Sequence, residues 1–306
     1  MYQRTRKYGY LDRQGEVVIP AAFKGAWDFS EFLAQVKGQN NLVGYITKAG
    51  QYAMMPQFDA AMPFREGFTV IRKDNIRCVI DKRGKILVSE QDCNIDYRGF
   101  NEGLLVAGKG LYGYLDHSGD WAIEPTFEGA MPFCGGLAPV MKSKLWGYID
   151  KRGNIAIEPK FKEPGGFVNG IASVLDGYIN RKGEYIYKMS EACFGNFSDG
   201  MGLYIKDGLF GFIGTKGNVV IAPTFEYAIG FKEGVCPVMR DNNWFYIDKT
   251  GKKVSDDYMW AFPFSGGIAS VCIDGKFSLI NSKMEVKKLN FSYIGVAKEG
   301  LMVFVL

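Results

Sequence analysis

One unit of roughly 34 residues recurs nine times along this 306-residue chain, and that period limits the fold more than any other feature. Its clearest copy reads Leu145-Trp146-Gly147-Tyr148-Ile149-Asp150-Lys151-Arg152-Gly153, then Ile155-Ala156-Ile157-Glu158-Pro159, then Phe161, Phe167, Gly170 and Ala172-Ser173-Val174. Copies start near Tyr8, Val43, Arg77, Tyr112, Trp146, Asp176, Phe210, Trp244 and Phe277. The residue in the Gly147 slot advances by 35, 34, 35, 34, 30, 34, 34 and 33 residues. A fixed period of about 20–50 residues is the mark of a solenoid, propeller or array. No segment is left over for a second domain, so residues 1–306 read as one repeat domain.

Each copy holds three short β-type runs, such as Gly136 to Val140, Gly147 to Asp150 and Ala156 to Pro159. The second and third are joined by Asp-x-x-Gly, as in Asp12 to Gly15 and Asp248 to Gly251. The Asp side chain can bond the backbone two residues on, and Gly accepts a positive φ, so a tight hairpin is expected. Pro20, Pro56, Pro125, Pro159 and Pro223 cannot donate to a ladder and should end the third strand. Two Phe six residues apart follow, for example Phe58 and Phe64 or Phe127 and Phe133. They read as apolar plugs between units, because a three-stranded meander cannot bury a core alone.

The two ends suggest closure. The chain opens on strands two and three of a unit and finishes on Gly300-Leu301-Met302-Val303-Phe304-Val305-Leu306, an apolar first strand. Left unpaired, that strand would be a bare sheet edge. Paired beside Tyr8 to Asp12, it would complete the first unit. The expected fold is therefore all-β, with nine three-stranded antiparallel repeats in a closed, propeller-like ring rather than an open solenoid.

Composition agrees and narrows function. Aromatic residues at 15% and 39 glycines suit a turn-rich all-β repeat. A net charge of +4 gives little support to bulk nucleic-acid binding. Cys78, Cys93, Cys134, Cys193, Cys236 and Cys272 never form C-x-x-C, so they read as reduced structural thiols. The start lacks an apolar signal region, and no stretch approaches the roughly 18 apolar residues of a membrane span. A cytoplasmic protein is expected.

The run Trp146-Gly147-Tyr148-Ile149-Asp150 with Gly153, Pro159, Phe161, Phe167 and Gly170-Ile171-Ala172 resembles the bacterial WG-repeat family. The copies around Gly9, Gly44, Gly113 and Gly211 share the resemblance, which covers essentially the whole chain. Three copies depart from it: the third at Ser89-Glu90-Gln91-Asp92-Cys93-Asn94, the sixth at Leu175-Asp176, the eighth at Asp256-Asp257-Tyr258. The resemblance implies a β-repeat module without catalytic residues to carry over.

Catalytic chemistry finds little footing. The single histidine, His117, sits at a turn tip; it reads as an exposed turn residue rather than an acid/base. One histidine excludes a His-pair metal site. The Asp-x-x-Gly turns lack the ligand density of a calcium loop. Gly108-Lys109-Gly110 lacks the helix of a phosphate cradle. No carboxylate pair of glycosidase type stands out. The chain is expected to be no enzyme and to need no cofactor or metal.

Two patterns remain as binding candidates. The hairpin tips are basic in eight of nine copies, with Arg13, Lys48, Lys82, Arg83, Lys151, Arg152, Arg181, Lys182, Lys216, Lys249 and Lys283. The turn before the first strand is acidic in six, at Glu31, Glu66, Glu102, Asp199, Glu233 and Glu299. Stacked repeats would align these as a basic rim and a separate acidic rim. The basic rim could hold an anionic partner, although ordinary soluble turn residues are the favoured explanation. Trp27, Trp121 and Trp260 fall outside the Trp146 slot and are candidate hot spots, against a plainer role in packing. The leading expectation is a scaffold that binds another protein. The alternative is a small-ligand or glycan receptor with a central aromatic-lined pocket. A flat aromatic patch on one face would favour the first.

Overall fold

The computed structural model describes residues 6–188 and 197–306. Cys193 and the first five residues lie outside that range. The described residues contain no helix and form nine antiparallel sheets arranged in a ring, a nine-bladed β-propeller. The second blade shows the plan: strands Gly25–Ala26, Leu33–Lys37, Val43–Thr47 and Tyr52–Phe58 pair in that order. The expected three strands thus gain a fourth, of two residues, drawn from the linker: Gly25 faces Lys37 and Ala26 faces Val36. The described residues give six sheets of four strands and three sheets of three.

The ring closes as the end strands suggest. In the first blade, Leu301–Val305 lies between Tyr293–Ile294 and Tyr8–Asp12, and Val17–Phe23 completes the sheet. Tyr8 faces Val305 and Asp12 faces Leu301. All five residues of the closing strand are buried.

In the six blades whose third strand carries a Gly, the neighbour strand leaves no room for a side chain there. A Cβ on Gly9, Gly44 or Gly147 would stand 2.5, 2.5 or 2.4 Å from the carbonyl oxygen of Ile19, Met54 or Ile157. Those carbonyls belong to the fourth strand, which bulges at this point. Prolines sit in the same irregular stretch and do not end the strand. Pairing resumes beyond Pro20 and Pro159, where Tyr8 faces Phe23 and Trp146 faces Phe161. A proline is tolerated at a bulge because no ladder donor is needed there. Cys78 and Ser278 hold the glycine slot in the third and ninth blades, which keep a fourth strand, whereas the eighth blade, with Phe245 there, has only isolated bridges in its place.

The hairpin turns form as expected. Asp150 Oδ1 accepts the N–H groups of Arg152 and Asn154, both at 2.9 Å, and Gly153 has φ +85°. The second Phe of each linker seals a seam. Phe29, Phe64, Phe133 and Phe167 meet Tyr10, Tyr45, Tyr114 and Tyr148 of the preceding blade edge-on, with centroids 5.0, 4.8, 4.9 and 4.9 Å apart. Each of these tyrosines also donates its hydroxyl across the seam, to the carbonyl 17 residues ahead. A buried ring therefore contributes apolar area, and its hydroxyl is not left unsatisfied.

Antiparallel connectivity places alternate connections on opposite faces of the ring. One face carries the Asp-x-x-Gly hairpins and the turns between short and second strands. The other carries the hairpins between second and third strands and the linkers between blades.

Candidate functional site

On the hairpin face the charged residues meet in pairs across the seams. Lys82 Nζ lies 2.9 Å from Glu31 Oε2, Lys48 Nζ 3.2 Å from Glu299 Oε2, and Lys151 Nζ 3.3 Å from Glu102 Oε2. Lys249 donates to the carbonyl of Asp199 at 2.6 Å. In every pair the cation belongs to the blade after the acid. The basic and acidic sets therefore interlock along one face and do not form separate rims.

Each acid has a second task. Glu31, Glu66 and Asp199 accept the backbone N–H of Gly67, Gly103 and Gly234 in the next blade at 2.9, 2.8 and 2.8 Å. Partial burial pushes the Glu31 carboxyl up, but Lys82 and the Gly67 N–H more than offset this and hold it below the usual range. His117 takes the lysine slot in the fourth blade. Its Nε2 is 3.0 Å from Glu66 Oε2, and its ring stacks on Phe68 with centroids 5.2 Å apart. Where the turn residue is glycine, the tip carries arginine. Arg181 donates to the Gly135 carbonyl. The Arg13 guanidinium lies 2.5 Å from where a Cβ on Gly266 would stand. Arg83, Arg152, Lys182 and Lys216 occupy the second tip position, exposed and outside these pairs. Such exposed ion pairs each contribute about 0–1 kcal/mol, so the face is better described as a set of latches than as a docking track.

The linker face carries an aromatic band. Phe210, Tyr227, Trp244, Trp260, Phe262 and Tyr293 follow one another with centroid separations of 5.3, 5.7, 4.8, 6.3 and 6.0 Å. Phe277 joins Tyr293 at 5.5 Å. The band crosses the seventh, eighth, ninth and first blades. Tyr227, Trp260 and Tyr293 are 47, 41 and 37% exposed, while Trp244 beneath them is buried. The exposed three open the short strands of consecutive blades, so repetition itself aligns them.

The three candidate tryptophans do not form one cluster. Trp260 lies within the band. Trp27 follows the short strand of the second blade and is 46% exposed; its ring edge lies 3.5 Å from where a Cβ on Gly25 would stand. Trp121 opens a fourth strand beside Leu115, near the hairpin face. It holds the slot of Tyr52 and Tyr185, whose rings meet Phe23 and Phe161 of the preceding blade. Tyr227, Phe262, Phe277 and Tyr293 escaped the sequence reading. Their signal was the 33-residue spacing from Tyr227 to Trp260 and again to Tyr293.

Cavities of about 640, 530, 260 and 180 Å³ open elsewhere in the ring, and Trp27, Trp121 and Trp260 line none of them. Among the described residues no three His, Cys, Asp or Glu side chains converge as a metal site. No helix of the described residues is long and apolar enough to cross a membrane.

Comparison with known proteins places these features in a family. The profile described as "WG containing repeat" matches residues 8–42, 44–75, 112–146, 146–175, 210–244 and 244–277. No curated protein matches the chain. Among solved structures, a eukaryotic initiation factor is similar over 99% of this chain and 98% of its own, at 10% identity and a TM-score of 0.57. BamB from Moraxella catarrhalis covers 80% of this chain and 95% of its own, at 12% identity and a TM-score of 0.43. The WD40 domain of SCAP from fission yeast covers 92% and 94%, at 9% identity and a TM-score of 0.39. At these identities the likeness concerns the fold alone.

Proposed function

The chain belongs to the WG containing repeat family, and from that premise we propose that it is a non-catalytic scaffold that binds another protein on its linker face. The carrying observation is the aromatic band. Tyr227, Trp260 and Tyr293 stand more than one-third exposed on three consecutive blades, within a connected row of rings. Exposed tyrosine and tryptophan backed by buried rings supply large, stiff contact area at low entropy cost, the profile of an interface hot spot. An exposed band on an outer face favours a protein surface over a ligand enclosed at the centre. The interlocked hairpin face offers less, since its first-position cations are already engaged. We read the protein as bacterial from the resemblance of its repeats. The free thiols Cys78, Cys93, Cys134, Cys236 and Cys272 support a reducing, cytoplasmic setting.

The test is affinity capture from the native host by the intact chain and by a Tyr227→Ser, Trp260→Ser, Tyr293→Ser variant. An Arg83→Ser, Arg152→Ser variant of the other face serves as control. A partner held by wild type and control but lost by the aromatic variant, at unchanged thermal stability, supports the reading. A partner that ignores the aromatic changes and leaves with the arginines sinks it.

A further inference from the structure

The third repeat departs from the pattern in ways that converge on one cleft of about 530 Å³ between the third, fourth and fifth blades, on the linker face. Elsewhere the aromatic that opens a third strand faces a phenylalanine, as in Tyr8 with Phe23, Tyr112 with Phe127 and Trp146 with Phe161. Here that pair is replaced by Arg77 and Glu90. The Glu90 N–H donates to the Arg77 carbonyl at 2.8 Å, and the guanidinium lies 3.4 Å from Glu90 Oε1. Arg77 also donates to the Ile95 carbonyl at 2.8 Å.

The segment between the short and second strands of the next blade is also longer. Ala61 to Phe64 and Ala130 to Phe133 span three positions, whereas Ile95 to Phe100 spans five. The added turn presents Tyr97, 57% exposed, and Arg98. Arg98 grips Asp96 with two bonds of 2.9 and 2.6 Å. Finally, the short strand of the fifth blade is Gly129–Ala130, where the band has bulky rings. The small residues leave the cleft open and bare the Trp146 ring edge, 3.1 Å from where a Cβ on Gly129 would stand.

We propose that this cleft binds a neutral, hydroxyl-rich ligand of the saccharide class. Its lining is charged but balanced: each of two guanidiniums is joined to a carboxylate. An anion would have to displace Glu90 or Asp96 from its guanidinium to enter, and a cation would have to displace Arg77 or Arg98 from its carboxylate. The remaining lone pairs of Glu90 and Asp96 and the remaining guanidinium N–H groups are held in fixed planes. Such planes suit pairs of neighbouring hydroxyls, which both donate and accept. Tyr97, Tyr112 and Trp146 supply ring surfaces for the apolar face of a pyranose. The volume lies within the roughly 300–1,000 Å³ of small-ligand sites. None of these residues belongs to the aromatic band, so the inference does not rest on the protein-binding reading.

Calorimetric titration of the full chain with cellobiose, maltose, trehalose and N,N′-diacetylchitobiose tests it. At least one disaccharide should bind, with Tyr97→Ala weakening it by about tenfold or more while thermal unfolding is unchanged. Asp96→Asn, which loosens the Arg98 clamp, should weaken the same sugar. The proposal is overturned by failure of all four sugars, by binding that survives Tyr97→Ala, or by glucose 6-phosphate binding more tightly than glucose.

Discussion

Lys48 Nζ reaches Glu299 Oε2 at 3.2 Å across 251 residues of sequence, the same contact that Lys82 makes with Glu31. The same Glu299 carboxylate accepts the Phe32 N–H at 2.9 Å. The seam beside the closing blade thus carries the latch found at interior seams. Tip and turn residues also vary together: lysine meets glutamate, histidine meets glutamate, and arginine meets glycine at Gly135 and Gly266. At Gly266 the arginine tip fills the space a side chain would take, with Arg13 2.5 Å from where a Cβ would stand.

A double-mutant cycle on Lys48→Ala and Glu299→Ala should give a coupling of about 0.5–1 kcal/mol, and the cycle on Lys82 and Glu31 a similar value. Both should shrink at about 1 M salt, where the screening length falls to about 3 Å. Urea unfolding of the six variants and wild type measures this. Couplings that differ between the two seams would mean that the ends are joined less firmly than the interior.

Removing Leu301 to Leu306 should have a far larger effect. Five buried residues leave, and the Tyr8–Asp12 strand loses its partner. At about 1.5–3 kcal/mol for each large apolar side chain, the loss rivals the whole stability of a typical domain, about 5–15 kcal/mol. Gel filtration should show aggregation through the exposed edge. A monodisperse truncated protein with an unchanged melting temperature would contradict closure.

Stability should fall steeply in alkali. Burial pushes the phenols of Tyr10, Tyr45, Tyr114, Tyr148 and Tyr246 well above their ordinary values. Above about pH 10 the unfolded chain sheds these protons while the folded chain keeps them. The unfolded state then binds fewer protons, so the free energy of unfolding declines as pH rises. Each tyrosine contributes about 1.4 kcal/mol per pH unit in that window. Tyrosinate absorbance and circular dichroism should change together in one cooperative step. Gradual ionisation without loss of structure would show that the hydroxyls are not held across the seams.

Much of this architecture was legible because each feature is local or periodic. The Asp150 to Gly153 turn is four residues of known geometry, and Leu301 to Leu306 announces an unpaired edge by composition. The Pro159 stop failed because a proline at a bulge and a proline at a strand end look alike in sequence. The separate rims failed for a different reason. Which blade Lys82 leans toward depends on blade rotation, and no one-dimensional pattern encodes that. Trp260 looked solitary only because its equivalents are tyrosines, Tyr227 and Tyr293. Arg77 and Glu90 stand 13 residues apart, and only the strand register reveals them as a substituted aromatic pair.

The seam between the second and third blades is underfilled, and a single substitution should repair it. At other seams the hairpin glycine rests on an isoleucine or leucine: a Cβ on Gly50, Gly153 or Gly251 would stand 3.3, 3.2 or 3.3 Å from Ile19, Ile123 or Ile221, and one on Gly15 2.9 Å from Leu289. Around Gly84 nothing lies within 4 Å, and a cavity of about 640 Å³ opens beside Met54, Met55, Phe58 and Ile86. The Ile86 slot holds Tyr52 in the second blade, whose ring meets Phe23 with centroids 6.4 Å apart. Isoleucine is too small to reach Phe58 in the same way. Ile86→Tyr should restore the contact and stabilise the ring by about 0.5–1.5 kcal/mol; Tyr52→Ile should destabilise the neighbouring seam by a similar amount. Shifts of the urea midpoint in opposite directions would bear this out, whereas a loss in both variants would mean that the third blade cannot approach its neighbour even with the ring supplied.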